Sequence, residues 1–163
     1  MTVTFDLKRH QNSLEIQRAL LGAKTVAVVG LSGNSLRASN FIGFYLKRHG
    51  YDVIPVNPRE DEILGEKCYD SLLDIPVPID IVNVFRNPEA LPGIAKDVVA
   101  IGAKALWCQF NVISEEGARI AEEGGVTVIM DRCIKVEHAR YIGRMHWLGF
   151  NTERITSVRR GLE

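Results

Sequence analysis

The sequence has no excess charge of either sign: twenty basic residues stand against twenty acidic ones in 163. A global field that would draw the chain to nucleic acid or an anionic membrane is therefore excluded, and any anion site must be built locally. Cysteine is scarce as well. Cys68, Cys108 and Cys133 are odd in number and far apart, with no CxxC pair and no histidine at metal-ligand spacing, so neither a disulfide framework nor a metal centre is expected. No run of about 18 apolar residues occurs, which leaves out a membrane-spanning helix. The opening MTVTFDLKRHQNS lacks the apolar core of a signal peptide, and a reduced, cytoplasmic protein is the expectation. Two nucleotide signatures are missing too. GxGxxG would need glycine at Ser32 and at Ser35, and the Walker lysine pattern is absent.

What is present is apolar material in a repeating order. A 46% hydrophobic fraction suffices for one core covered on both sides, so residues 1–163 read as a single domain. A helical pattern opens it, with Ser13 as cap and Leu14, Ile16, Ala19, Leu20 and Leu21 as its apolar side. Thr25 to Val29 is a β-rich run ending in Gly30, suited to a central parallel strand. After the loop from Leu31 to Ala38, Ser39 or Asn40 caps a helix through Phe41, Phe44, Tyr45 and Leu46 that stops at Gly50. Asp52 to Asn57 is the second strand, and its Pro55 marks a place where one ladder hydrogen bond is dispensable. Ile79 to Phe85, Ala103 to Gln109 and Val126 to Met130 are further strands, with helices starting at Asn87-Pro88-Glu89 and Ser114-Glu115-Glu116. This alternation implies an α/β fold, a doubly wound parallel sheet with right-handed crossovers and a ligand site beyond the carboxyl strand ends. The core is expected over about 13–141, with 142–163 as an extension that covers the core or a partner subunit.

Gly30-Leu31-Ser32-Gly33-Asn34-Ser35 lies between the first strand and a helix, where backbone N–H groups and the helix dipole can meet an anion. Gly30 and Gly33 permit close backbone approach, and the Ser32 and Ser35 hydroxyls with the Arg37 guanidinium can donate to phosphate oxygens. Any strand-to-helix turn favours these residue types, so an ordinary turn competes with a diphosphate cradle. The end of the second strand separates ligand classes. NAD sites usually carry Asp or Glu there to bind a ribose diol, whereas Asn57-Pro58-Arg59 tolerates a phosphorylated ribose. That favours a 3′-phosphorylated ADP such as that of coenzyme A, with NADP second. Phe85 and Arg86 after the third main strand, and Gln109 to Asn111 after the next, are expected to face the same crevice: Phe85 against adenine or pantetheine, Arg86 toward phosphate, Gln109 or Asn111 toward pantetheine amides. Taken singly, Phe85 also reads as core and Arg86 as a solvated charge.

TVAVVGLSGNSLRAS, GYDVIPVNPRE, LGEKCYDSL, IDIVNVF, GAKALWCQF and VIMDRCIKVEHAR follow one another in an order and spacing that resembles the coenzyme A-binding domain family. These are the stand-alone relatives of the nucleotide-binding part of succinyl-CoA synthetase α subunits and ADP-forming acyl-CoA synthetases. The resemblance implies a Rossmann-like fold with CoA phosphates at the Gly30 to Ser35 loop and Arg37. It also implies the adenosine end near Val56, Asn57 and Pro58, with Phe85, Arg86 and Gln109 lining the rest. Gly33 departs from the pattern, since many relatives have proline there, and it makes the loop more flexible.

The phosphorylated histidine of such synthetases sits on a different domain, and the resemblance assigns it to no position here. Cys133 and His138 form a local nucleophile and base pair only if a helix begins after Cys133, because residues five apart on one helix point in different directions. The competing reading is a segment that packs the last helix on the sheet. Cys108 offers either a mixed disulfide with a CoA thiol or a buried strand cysteine. His10 and His49 read as surface positions, Trp107 as core, and Trp147 with Phe150 as an anchor for the extension or a dimer contact. The expectation is metal-free binding of coenzyme A or an acyl-CoA without turnover or catalytic residues, in a homodimer or with a partner subunit. An NADP-dependent oxidoreductase, an acyl-CoA-processing enzyme or subunit, and an interaction module that has lost its ligand are the alternatives.

Overall fold

The computed structural model describes residues 4–143. In chain order its strands are β1 (Thr25–Val29), β2 (Asp52–Val56), a two-stranded hairpin of β3 (Glu62–Ile63) and β4 (Glu66–Lys67), β5 (Ile81–Val84), β6 (Ala105–Cys108) and β7 (Thr127–Ile129). The helices are α1 (Ser13–Gly22), α2 (Ala38–Arg48), α3 (Leu91–Ala100), α4 (Glu115–Glu123) and α5 (Ile134–Tyr141). Five strands make one parallel sheet in the order β2-β1-β5-β6-β7. The chain moves outward from β1 to β2 and then returns past β1 to start β5, so the connections part between β1 and β5 and open a crevice at their carboxyl ends. This is the doubly wound, Rossmann-like architecture read from the alternation. Pro55 fits because β2 is an edge strand, where a missing N–H costs nothing on the open side.

Alternation of side chains along each strand divides the core. Ala27, Val82, Val84, Leu106, Cys108 and Val128 pack toward Leu91, Ala95 and Val98 of α3 and Ala118 and Ala121 of α4. Val26, Val28, Ile81, Ala105, Trp107 and Ile129 pack toward Ile16 and Leu20 of α1, Ile42 and Leu46 of α2 and Ile134 of α5. Each fully buried aliphatic side chain contributes about 1.5 to 3 kcal/mol, so it is the double-sided burial that makes these short strands stable.

The helix starts differ from the sequence expectation in detail. Asn12, not Ser13, caps α1: its side chain accepts hydrogen bonds from the Leu14 and Glu15 amides. Ser114 caps α4 as expected, while Pro88–Ala90 forms a 3-10 turn ahead of α3 and Asn87, at its cap position, makes no side-chain cap bond. Leu14 and Leu21 are exposed, because only the Ile16–Leu20 stripe of α1 meets the sheet. His10 is not a surface residue. It is 3% exposed, with Nδ1 at 3.3 Å from a Glu122 oxygen, because the Met130 amide donates to the His10 carbonyl and docks this segment beside β7. Among the described residues no helix is long and apolar enough to cross a membrane. Trp147 and Phe150, read as an anchor for the extension, lie outside the described residues.

One carboxylate ties the amino ends of three strands together. Asp80 accepts from the Lys24 and Thr25 amides at 2.7 and 3.1 Å, and the Lys104 ammonium lies 3.1 Å from its other oxygen. Burial by itself would raise the Asp80 carboxyl, but the two amides and Lys104 outweigh it and hold its pKa at about 2. A carboxylate depressed in the fold contributes stability above its unfolded value of about 3.9, and that contribution is lost as pH falls toward 2. Asp80→Ala is therefore expected to lower the unfolding free energy by about 1 to 3 kcal/mol at pH 7. In urea titrations at stepped pH, the difference from the unsubstituted chain should close between about pH 4 and pH 2.

Candidate functional site

The chain leaves β1 through Gly30, whose φ is +85° and whose amide donates to the Val56 carbonyl at 2.9 Å. A Cβ at this position would lie 2.9 Å from the Phe85 carbonyl oxygen, so only glycine lets the loop pass the end of β5. Beyond it the loop is pinned from within. The Ser32 amide donates to the Ser39 hydroxyl, the Asn34 amide to the Ser32 hydroxyl and the Leu36 amide to Asn34 Oδ1. Asn40 Nδ2 donates to the Ser32 carbonyl and Asn57 Nδ2 to the Leu31 carbonyl. Ser39 and Asn40 thus do not cap α2, as the sequence suggested. They lie in its first turn and hold the loop, while Arg37 takes the cap position without a side-chain cap bond.

An alternation results. The amides of Gly30, Ser32, Asn34 and Leu36 are bonded inside the protein, and those of Leu31, Gly33 and Ser35 have no partner among the described residues. The unpaired amides sit just before α2, whose dipole adds positive potential at this end.

Two clefts flank Gly30 at the carboxyl ends of the strands. One, of about 370 Å³, brings together Gly30, Ser32, Arg37 and Phe85. The other, of about 200 Å³, brings together Gly30, Pro58, Asp70 and Arg86 with Ile94 of α3. Asn57 stands behind the loop, with its side chain also accepting from the Arg59 amide. Gly33, Asn34 and Ser35 form the exposed lip. Gln109 is placed apart from both clefts: it is 4% exposed, and its Oε1 accepts from the Ile134 amide at the start of α5.

Two residues that sequence reasoning passed over lie close by. Glu60 turns back from the second strand so that a Cβ on Gly33 would fall 2.5 and 2.8 Å from its carboxylate oxygens, and Oε2 is buried with no partner. The sequence shows no acid at positions 57 to 59, and only the turn that follows, with the Glu60 amide donating to the Asn57 carbonyl, brings this one back. Asn83 is fully buried in β5 between Val28 and Trp107, and neither its Oδ1 nor its Nδ2 has a partner. A lone asparagine inside an apolar strand was the available signal for it.

The Cys133 and His138 pair does not form. The helix does begin after Cys133, yet His138 Nδ1 shares a hydrogen bond of 2.9 Å with the Tyr45 hydroxyl and is ringed by Tyr45, Tyr51 and His49. Burial first, then His49, pushes the His138 pKa down to about 4, so it is neutral at pH 7 and ties α5 to α2. Cys108 is fully buried, which pushes its thiol up and leaves it unable to exchange with a ligand thiol. Among the described residues no group of three or more His, Cys, Asp or Glu could hold a metal ion.

The two loop glycines should respond differently to alanine. Gly30→Ala forces a positive φ and a backbone clash and is expected to cost about 2 to 4 kcal/mol. Gly33→Ala meets only the end of a flexible Glu60 side chain and should cost less than about 1 kcal/mol. Chemical denaturation of both variants measures the contrast.

Residues 24–139 match the family described as CoA binding domain. The chain is 45% identical over 131 residues to the uncharacterized protein YneT of Bacillus subtilis, covering 80% of this chain and 97% of that one. It is 33% identical over 122 residues to the ADP-forming acetate–CoA ligase II of Archaeoglobus fulgidus, covering 74% of this chain but only 18% of the ligase. Among solved structures, a hypothetical protein from Pyrococcus horikoshii OT3 superposes with a TM-score of 0.79 at 39% identity, over 81% of this chain and 93% of that one. The dinucleotide-forming acetyl-coenzyme A synthetase 1 of Ca. Korarchaeum cryptofilum superposes with a TM-score of 0.59 at 26% identity, over 67% of this chain and 26% of the synthetase. With its glycine loop, its sheet order and these relatives, the chain belongs to the CoA binding domain family.

Proposed function

We propose that this protein binds coenzyme A or an acyl-CoA in the cytoplasm and does not turn it over. The observation that carries this reading is the set of unpaired amides at Leu31, Gly33 and Ser35, poised ahead of α2 in a member of a CoA-binding family. The diphosphate lies against those amides, with the Ser32 and Ser35 hydroxyls and the Arg37 guanidinium as further donors. The phosphorylated ribose and adenine occupy the cleft lined by Pro58 and Arg86, with Asn57 next to Pro58 in the chain, and Phe85 supports the ligand in the other cleft. Gln109 keeps Oε1 on the Ile134 amide and has its buried Nε2 unpaired, the one group it can offer to the pantetheine arm without releasing α5. Relatives named as acetate–CoA ligases are several times longer than this chain, which suits a role in which it carries the nucleotide site to a partner subunit or a second copy.

Glu60 favours a second reading. A carboxylate beside the glycine loop is the group that accepts from an unphosphorylated ribose diol, and it repels a 3′-phosphate. Calorimetry with CoA, dephospho-CoA, NAD and NADP separates the two. Tighter binding of CoA than of dephospho-CoA is expected, and preference for either pyridine nucleotide sinks the CoA assignment. Arg37→Ala should weaken CoA binding by about 1.5 to 3 kcal/mol, the worth of one charge-assisted contact. Glu60→Gln should tighten it, because a like charge leaves the neighbourhood of the phosphates.

A further inference from the structure

Arg132, at the end of β7, lies three strand positions from β1, about 14 Å across the sheet from the glycine loop. There, α5 and the start of α1 enclose a polar cleft of about 310 Å³ whose walls include Asn12, Ser13, Arg132, Glu137, Arg140 and Tyr141. Arg140 is 7% exposed, and its Nε is buried with no hydrogen-bond partner. Its one side-chain bond is from Nη1 to Glu137 Oε2, at 3.5 Å. Arg132 donates from Nη1 to the Asp131 carbonyl, and its Nε stands 3.9 Å from the other Glu137 oxygen. Two guanidinium groups therefore share one carboxylate, and among the described residues Glu137 is the only acid on the walls of the cleft. A positive charge is left over at the wall of the cleft, and the buried Arg140 Nε–H is a donor with no acceptor among the described residues. The α1 dipole adds to the same potential.

We propose that this cleft is a second anion site, in which Arg132 and Arg140 grip a small oxyanion, a phosphate or a carboxylate, in the forked manner of guanidinium recognition. The excess of guanidinium over carboxylate and the unpaired Nε of Arg140 together require an acceptor that the protein's described residues do not supply. The site is independent of the nucleotide site and can be tested without coenzyme A.

The test follows the arginine Nε–H resonances of the full-length chain by NMR, during separate titrations with inorganic phosphate and with succinate, and with chloride at matched ionic strength. A saturable shift of the Arg140 Nε–H is expected with at least one of the two oxyanions and not with chloride. The tighter binder identifies whether phosphate or carboxylate is the preferred class. Arg132→Gln, at a partly exposed position, should weaken that binding about tenfold, as expected for loss of one charge-assisted contact. No saturable shift with either oxyanion, an equal response to chloride, or unchanged affinity in a folded Arg132→Gln would overturn the proposal. The resonance of the unsubstituted chain decides the matter even if that variant does not fold.

Discussion

At the end of β1 the backbone passes the Phe85 carbonyl at a distance that leaves no room for a Cβ, and it does so with a φ that L side chains rarely adopt. The passage is forced by topology. β5 must pair with β1 on the side away from β2, so the loop leaving β1 has to turn between the two neighbouring strand ends. Because Gly30 makes that turn tightly, the next residues are delivered across the mouth of the crevice and into the start of α2. The two clefts, the pinned loop and the free amides all follow from this one crossing.

The loop's own hydrogen bonds explain why it can present donors without collapsing. Ser39 and Asn40, held by α2, and Asn57, held by β2, fix the Ser32 amide and the Ser32 and Leu31 carbonyls. The amides of Leu31, Gly33 and Ser35, between the fixed ones, are left without a partner among the described residues. A loop with every amide satisfied would be a simple turn, and one with none satisfied would lose any anion affinity to the entropy of ordering it. Against this positive edge the protein sets the carboxylate of Glu60, so the local field is mixed, as befits a chain with no net charge to lend.

The face under α2 and α5 is built on polar groups as well as apolar ones. His138, Tyr45, Tyr51 and His49 interlock there, and the neutral imidazole acts as a fastener between helices. Asn83 lies in the same sheet face with its amide unmet, a costly arrangement for a core strand. Farther along, Glu137 is pushed up by its own burial and pulled down by Arg140 and Arg132, which places three charged groups where a smaller set of apolar ones would have closed the gap between α1 and α5.

Much of the architecture is legible in the chain itself because strand and helix periods are local properties. The β-branched runs ending at Val29, Val56 and Val84, the apolar run ending at Cys108, the turn glycines at 50 and 102 and the serine at 114 mark their elements without reference to anything distant. The glycine loop is legible for the same reason, since its place between a strand and a helix is a matter of sequence order. What no local pattern could tell is where side chains are aimed. His138 is committed to Tyr45 rather than to Cys133, Gln109 gives its Oε1 to α5, and His10 is drawn inward by the segment after β7. Glu60 and Gly33 are far apart in the chain and meet only when β2 and the loop after β1 fold side by side. Sequence determines which backbone segments favour strand, helix or turn, because residue propensity, capping and the period of apolar positions all act within a few residues. Tertiary structure alone decides which polar groups are left unpaired and facing one another, because that depends on every packed neighbour at once.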